Sequence, residues 1–305
     1  MTAQAIREPS TLERRDGMKV RTFAPRPEGF DALQATDNEL LKYGFPTRPT
    51  EAALLEQWEG AVTRARTYIV PTFHDVVGLS PTAKPKPFGG GRNTTENFCG
   101  AVLQGAEHSV SWVGGVANVP NPYPVGGRDN VWFYSSSWIG IDVFPGTGAA
   151  LQVGVNHNVI HYADGQFARQ IGAWFAWNSL PLDIWFPVSP GDRMNYLICV
   201  DRSNFTKGTI FLLNESSGAS TSFAVETPGG SPLLGTSAQW IVEDPLFQLT
   251  PEPLANFGAV YFDSAQCSAG NAGGGDTIDM VDQSNNVIAH GATLGSTVVQ
   301  CTFTR

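Results

Sequence analysis

The chain of 305 residues is long enough to bury a full core, and 42% of it is hydrophobic, which excludes a disordered polypeptide. Charged residues make up only 15%, against roughly 25% in an average soluble protein. Their place is taken by 33 Gly and 21 Pro, a composition suited to short strands joined by turns and ill suited to a helical fold. A net charge of −9 with no basic face argues against a nucleic-acid partner, and no run approaches the ~18 apolar residues of a membrane-spanning helix.

The charge is unevenly spread. Residues 1–92 carry 13 Lys+Arg and 11 Asp+Glu, whereas residues 93–305 carry 6 and 17. The Pro- and Lys-containing stretch 81–87 reads as an extended linker, and a domain boundary is expected near Gly89, Gly90 and Gly91. Within 1–92, Thr36 and Glu39 form a capping box for a short helix that carries Leu40 and Leu41 and closes at Gly44. A second helix starts after Pro49, with Leu54, Trp58, Ala61, Val62 and Ala65 on one stripe. Two helices cannot bury that stripe alone, so this part is expected to dock on the larger domain, as an appendage or as an inhibitory pro-segment. From residue 93 onward, period-two alternation recurs over 100–119, 131–143, 149–156, 172–178, 193–201, 208–214, 237–243, 257–263 and 297–304. Gly, Pro and Asn separate these runs, which predicts an all-β antiparallel sandwich of the jelly-roll, concanavalin-A-like kind.

Several chemistries are excluded by what is missing. The chain has no Gly-x-Ser-x-Gly elbow, no Asp-Thr/Ser-Gly and no Gly-Lys-Ser/Thr phosphate loop. Cys99, Cys199, Cys267 and Cys301 form no Cys-x-x-Cys pair, so neither a zinc ribbon nor a redox motif is expected, and one or two disulfides stay open. His157 and His161 have i,i+4 spacing but lack the Glu of a zinc helix and are read as a polar loop. No metal or cofactor is expected. Three strands carry polar groups where burial is expected. Trp138, Gly140 and Asp142 share one face of their strand; Gln152, Gly154 and Asn156 share one face of theirs; and Gln239, Ile241 and Glu243 are grouped opposite Trp240, Val242 and Asp244. Burying such groups unpaired costs free energy, so they point to a wet concave face.

Taken together, these strings resemble the eqolisin (glutamic peptidase) family. Asn97-Phe-Cys-Gly-Ala-Val-Leu resembles the family's opening strand, with Phe98 where Trp is usual. Val116 to Pro120, Trp138 to Asp142, Leu151-Gln152-Val-Gly and Trp240-Ile-Val-Glu243-Asp244 follow in the family's order. The resemblance covers 93–305 and implies a β-sandwich, no cofactor and polypeptide substrates. It assigns Gln152 and Glu243 as catalytic, with Trp138, Asp142, Trp174, Asn156 and Asp244 as binding or supporting residues. It also likens residues 1–92 to a pro-segment. Departures fall at Asn156, Ala176, Asn178 and Leu246, which thin the carboxylate network and leave the reacting pair intact.

The implied activity is acid-acting endopeptidase hydrolysis. Glu243 serves as general base and then acid, and Gln152 orients the water and stabilises the oxyanion. A neutral amide does not raise the carboxyl pKa by like-charge repulsion, so Glu243 is expected to stay ionised in acid. The N-terminal part is expected to dock at neutral pH, loosen in acid and be cleaved near 85–92. The alternatives are a non-catalytic carbohydrate- or peptide-binding sandwich and a structural coat protein. Sequons at Asn93, Asn204 and Asn214, with an acid activity, favour a secreted protein or one of an acidic compartment, although no signal peptide is visible.

Overall fold

The computed structural model describes residues 10–305 apart from 14–16, 77–92, 127–128, 145–148, 179, 228–231, 248–249 and 252. The expected linker and cleavage region, 81–92, therefore lies outside the described residues. The fold is the expected antiparallel sandwich. One layer runs, in spatial order, Leu180–Ile184, Phe167–Trp177, Leu151–His161, Ser136–Ile141, Ser237–Glu243, Phe98–Gln104 and Asp276–Val281. The other runs Ala219–Glu226, Lys207–Asn214, Arg193–Val200, Trp112–Asn118, Ala259–Cys267, Val299–Phe303 and Val287–Thr293. The last strands of the two layers pair with each other, so the layers are one sheet folded over.

Alternation sorts the side chains of the first layer into two sets. Leu151, Val153, Val155, Ile139, Ile141, Trp240, Val242 and Phe175 face the second layer and share its main core. Trp138, Trp174, Ala176, Ile241, Phe98 and Ile278 form a separate cluster on the opposite face. That second face carries the site.

The N-terminal part enters this frame both as helices and as strands. Helix α1 (Asp37–Lys42) has the expected capping box between Thr36 and Glu39. Helix α2 (Ala52–Arg64) begins later than Pro49 and buries Leu54, Gln57, Trp58, Ala61 and Val62. The helical stripe packs with Trp112, Leu197, Phe211 and Leu213 on the outer side of the second layer. Sequence periodicity did not reveal two further contacts. Lys19–Thr22 pairs antiparallel with Ala219–Glu226, and Phe73–Asp75 pairs antiparallel with Leu180–Ile184, so the N-terminal part covers an edge of each layer. Unpaired edges present bare N–H and C=O groups, and covering them satisfies those groups. Met18 and Val20 join the main core, and Phe73 packs edge-on against Phe175 and Phe223. Arg64–Glu215 and Arg202–Glu51 ion pairs cross the same joint. Its apolar and strand contacts do not titrate, so the charge balance expected to release this part in acid accounts for only a fraction of what holds it.

One further expectation is corrected. The strand carrying Gln152 runs on through His161, because it pairs with Val131–Phe133 and with the full length of its hairpin partner. The His157–His161 stretch is thus strand rather than loop, and its i,i+4 spacing leaves the two imidazoles about 13 Å apart along the strand. Among the described residues no group of His, Cys, Asp or Glu is arranged to hold a metal. All four cysteines are free, and Cys301 Sγ donates to the Cys99 carbonyl at 3.2 Å. The Asn214 side chain is buried and donates to Pro187 O and Asp192 Oδ2, which leaves that sequon without an accessible acceptor in the folded chain.

Candidate active site

The site forms where three neighbouring strands bring their outward residues into register. On the central strand, Trp138 faces Gly154 on one side and Ile241 on the other. Two residues away in one direction, Gly140 lies opposite both Gln152 and Gln239. Two residues away in the other, Ser136 lies opposite Asn156 and Glu243. Antiparallel partners project to the same face, so Gln152, Asn156, Trp138 and Glu243 share one surface, with Trp138 between the amide and the carboxyl. Trp174, opposite Gly154 on the next strand, borders the same surface.

Two glycines make this packing possible. A Cβ on Gly154 would fall 2.3 Å from Ser137 O and 2.5 Å from Trp138 Cβ, so a side chain there would force the Trp138 strand away. A Cβ on Gly140 would lie 3.0 Å from Leu151 O and 3.3 Å from Gln152 Cγ, so its absence leaves room for the Gln152 stem. Above the surface, Val143, Phe144 and Ala150 pack into the same apolar cluster. Gln239 accepts from Val143 N–H at 3.3 Å and donates to Ser237 Oγ at 2.7 Å, and Ser237 Oγ donates to Phe144 O at 2.6 Å. This chain of bonds holds the start of the connection between the Trp138 and Gln152 strands down against the Glu243 strand.

The electrostatics follow from burial. Glu243 is 3% exposed, and its Oε2 accepts the Trp138 indole N–H at 2.7 Å. Burial pushes its pKa up from 4.5 to about 8, against the opposing pull of that hydrogen bond. The expectation of an ionised Glu243 in acid is thereby corrected. Sparing the carboxyl a like-charged neighbour does not offset the cost of removing it from water. Gln152 is 1% exposed, and neither its Oε1 nor its Nε2 meets a hydrogen-bond partner among the described residues. The residue opposite it on the hairpin partner is Ala176, the position where the family's acidic residue is absent. A buried amide with both ends open is costly for folding and available to a substrate or a water.

The other expected residues separate clearly. Trp174 donates its indole N–H to Ser136 Oγ at 2.8 Å, which fixes it beside the site. Asn156 is half-buried on the same face. Asp142 is not part of the cluster. Its φ of +62° breaks the alternation at the strand end, and its carboxylate accepts from Gly235 N, Thr236 N, Thr236 Oγ1 and Ser237 N at 2.6–3.2 Å. It anchors the turn that leads into the Glu243 strand. Asp244 lies just beyond that strand, where its N–H donates to Asn97 O, and alternation directs it away from the Glu243 face. Ser136 and Phe98 went unassigned at the level of motifs. Stepping back two residues from Trp138 identifies Ser136, while Phe98 packs edge-on against Trp138 at 5.5 Å, a contact only the fold provides.

The chain is an antiparallel β-sandwich folded over from one sheet, with a buried carboxyl and a buried amide on one outer face. A family profile described as the peptidase A4 family matches residues 96–303, and the chain belongs to that family. This bears out the resemblance to the eqolisins. Aspergillopepsin-2 of Aspergillus niger is 25% identical over 299 residues, covering 96% of this chain and 93% of that protein. Among solved structures, scytalido-glutamic peptidase with a transition-state analogue inhibitor superposes with a TM-score of 0.54 at 24% identity, covering 68% of this chain and 98% of its own. SCP-B, a member of the eqolisin family in complex with the tripeptide Ala-Ile-His, gives 0.50 at 23% over the same shares. These two likenesses establish the fold.

Proposed function

We propose that the protein is an acid-acting endopeptidase in which Glu243 and Gln152 are the reacting pair and no metal or cofactor takes part. The observation that carries the reading is a buried carboxyl held at one oxygen by an indole N–H, on the same sheet face as a buried amide that has no partner among the described residues. Because burial keeps Glu243 protonated below about 8, its first act in acid is to give a proton. As water adds to the scissile carbonyl, Glu243 protonates the carbonyl oxygen and then takes the surplus proton of the added water. The intermediate carries two hydroxyls on carbon. In the second half Glu243 protonates the leaving nitrogen and recovers a proton from one of those hydroxyls, so the group ends as it began. The Gln152 carbonyl orients the water and its NH₂ donates to the carbonyl oxygen while negative charge builds there ahead of the proton. Trp138 holds Glu243, Trp174 and Ser136 brace the adjacent wall, and Asn156 continues the polar face. The protonated form that this route needs is complete in acid, and pH about 8, where Glu243 gives up its proton, is the upper bound of the route. In this reading residues 1–92 act as a pro-segment that docks on the sandwich domain, 93–305.

The test is digestion of a denatured protein across acidic pH by the wild type, Glu243→Gln and Gln152→Ala, with intact mass followed to detect loss of the N-terminal part. Glu243→Gln should be inactive, and Gln152→Ala should fall by about 10²–10³, the usual cost of one oxyanion donor. Equal proteolysis by all three ends the assignment.

A further inference from the structure

The surface that carries Glu243 does not end at Ser136. The strand Leu151–His161 continues past Asn156, and there its outward residues are Asn158 and Ile160. Ile160 is in register with Trp132 on Val131–Phe133, so Trp132 projects to the same face as Glu243 and Gln152, four residues or about 13 Å beyond Ser136. The Tyr134 ring lies 6.3 Å from that of Trp132, and both residues are half-buried. Asn158 is nine-tenths buried, and its Oδ1 has no hydrogen-bond partner among the described residues. A buried acceptor without a donor is rare in a folded chain. Here it sits level with Tyr134, between Trp132 and the reacting groups, on a face that an extended chain can follow.

We propose that Trp132, Tyr134 and Ile160 form a distal subsite for an apolar side chain of the peptide substrate, about four residues beyond the position of Glu243, with Asn158 Oδ1 accepting a substrate backbone N–H. The inference rests on the peptidase reading and deepens it. An extended peptide advances ~3.3 Å per residue, so the 13 Å between Ser136 and Trp132 corresponds to about four substrate residues. The aromatic pair supplies apolar area, and the amide acceptor fixes the peptide's depth. The enzyme would therefore select at a distance as well as at the cut, favouring long substrates with an outlying apolar residue.

The experiment uses the full chain in acid with three quenched fluorescent peptides of one scissile sequence. One ends two residues from the bond on each side. The others extend four further residues on each side, carrying either Leu or Ser at the outer positions. The wild type should cut the Leu peptide at least about tenfold better in kcat/KM than the Ser peptide, within the range of one hydrophobic pocket. Trp132→Ala should erase that advantage while leaving the short peptide unchanged, and Trp132→Phe should keep most of it. A Leu preference that survives in Trp132→Ala overturns the proposal, as does an equal fall on short and long peptides. If the wild type cuts none of the three, the peptidase reading fails by itself. Calorimetric binding of the same peptides then decides the subsite: tighter binding of Leu than Ser in the wild type but not in Trp132→Ala supports it, and equal binding removes it.

Discussion

Replacing Glu243 by Gln tests the electrostatics of the site separately from its chemistry. The amide has nearly the same shape, can still accept the Trp138 N–H, and never ionises. In the wild type, burial raises the carboxyl pKa from 4.5 to about 8. A group with a raised folded-state pKa contributes stability that is fully present below 4.5 and is lost as pH rises through about 8. At 1.36 kcal/mol per unit, the 3.5-unit difference amounts to about 5 kcal/mol of pH-dependent stability, a large share of the roughly 5–15 kcal/mol that holds a typical domain folded. Urea unfolding at pH 4, 6, 8 and 9 should therefore show the wild type losing about 5 kcal/mol relative to Glu243→Gln between the first and last points. The variant should be the more stable protein at pH 9 and inactive at every pH. Parallel stability curves would refute the reasoning, because a carboxyl that ionises freely in the folded chain cannot be the buried, protonated donor that the mechanism requires.

The remaining predictions concern the supports of the site. His157 is buried with Nδ1 2.6 Å from Ser135 Oγ, and burial lowers its pKa from 6.5 to about 3. Its sign is opposite to that of Glu243, with stability present above 6.5 and lost as pH falls through 3, so His157→Gln should flatten the acid limb of the unfolding curve by about 5 kcal/mol. Loss of equal size in both proteins between pH 7 and 3 would disprove this. Asp142→Ala leaves the backbone N–H groups of Gly235, Thr236 and Ser237 without their carboxylate. It should lower stability by about 3–5 kcal/mol, seen as a lower thermal midpoint, and impair hydrolysis through the displaced Glu243 strand. An unchanged midpoint would refute its role as the anchor of that turn.

Some of this arrangement was open to inspection along the chain. The capping box at Thr36 and Glu39 and the stripe of α2 are local patterns, and both form where expected. The alternation of Gln152, Gly154 and Asn156, and that of Gln239, Ile241 and Glu243, assigned each set to one face. The edge strands Lys19–Thr22 and Phe73–Asp75 were not legible. Three or four residues carry too little periodicity, and their partners lie more than 100 residues away. The segment ending at His161 was misread as loop because its polar residues obscure an alternation that the hairpin partner enforces. Asp142 was misplaced for a local reason, since a positive φ at the strand end turns its carboxylate out of the alternating series.

The order and spacing of the strand motifs determined that this chain makes a sandwich and which side chains share a face, because side-chain direction in a strand depends only on counting by two. Which faces meet, how deeply Glu243 is buried, and that Gln152 is left with both polar atoms open were decided by the packing of strands distant in sequence. Desolvation depends on everything that surrounds a group, and no local pattern contains it.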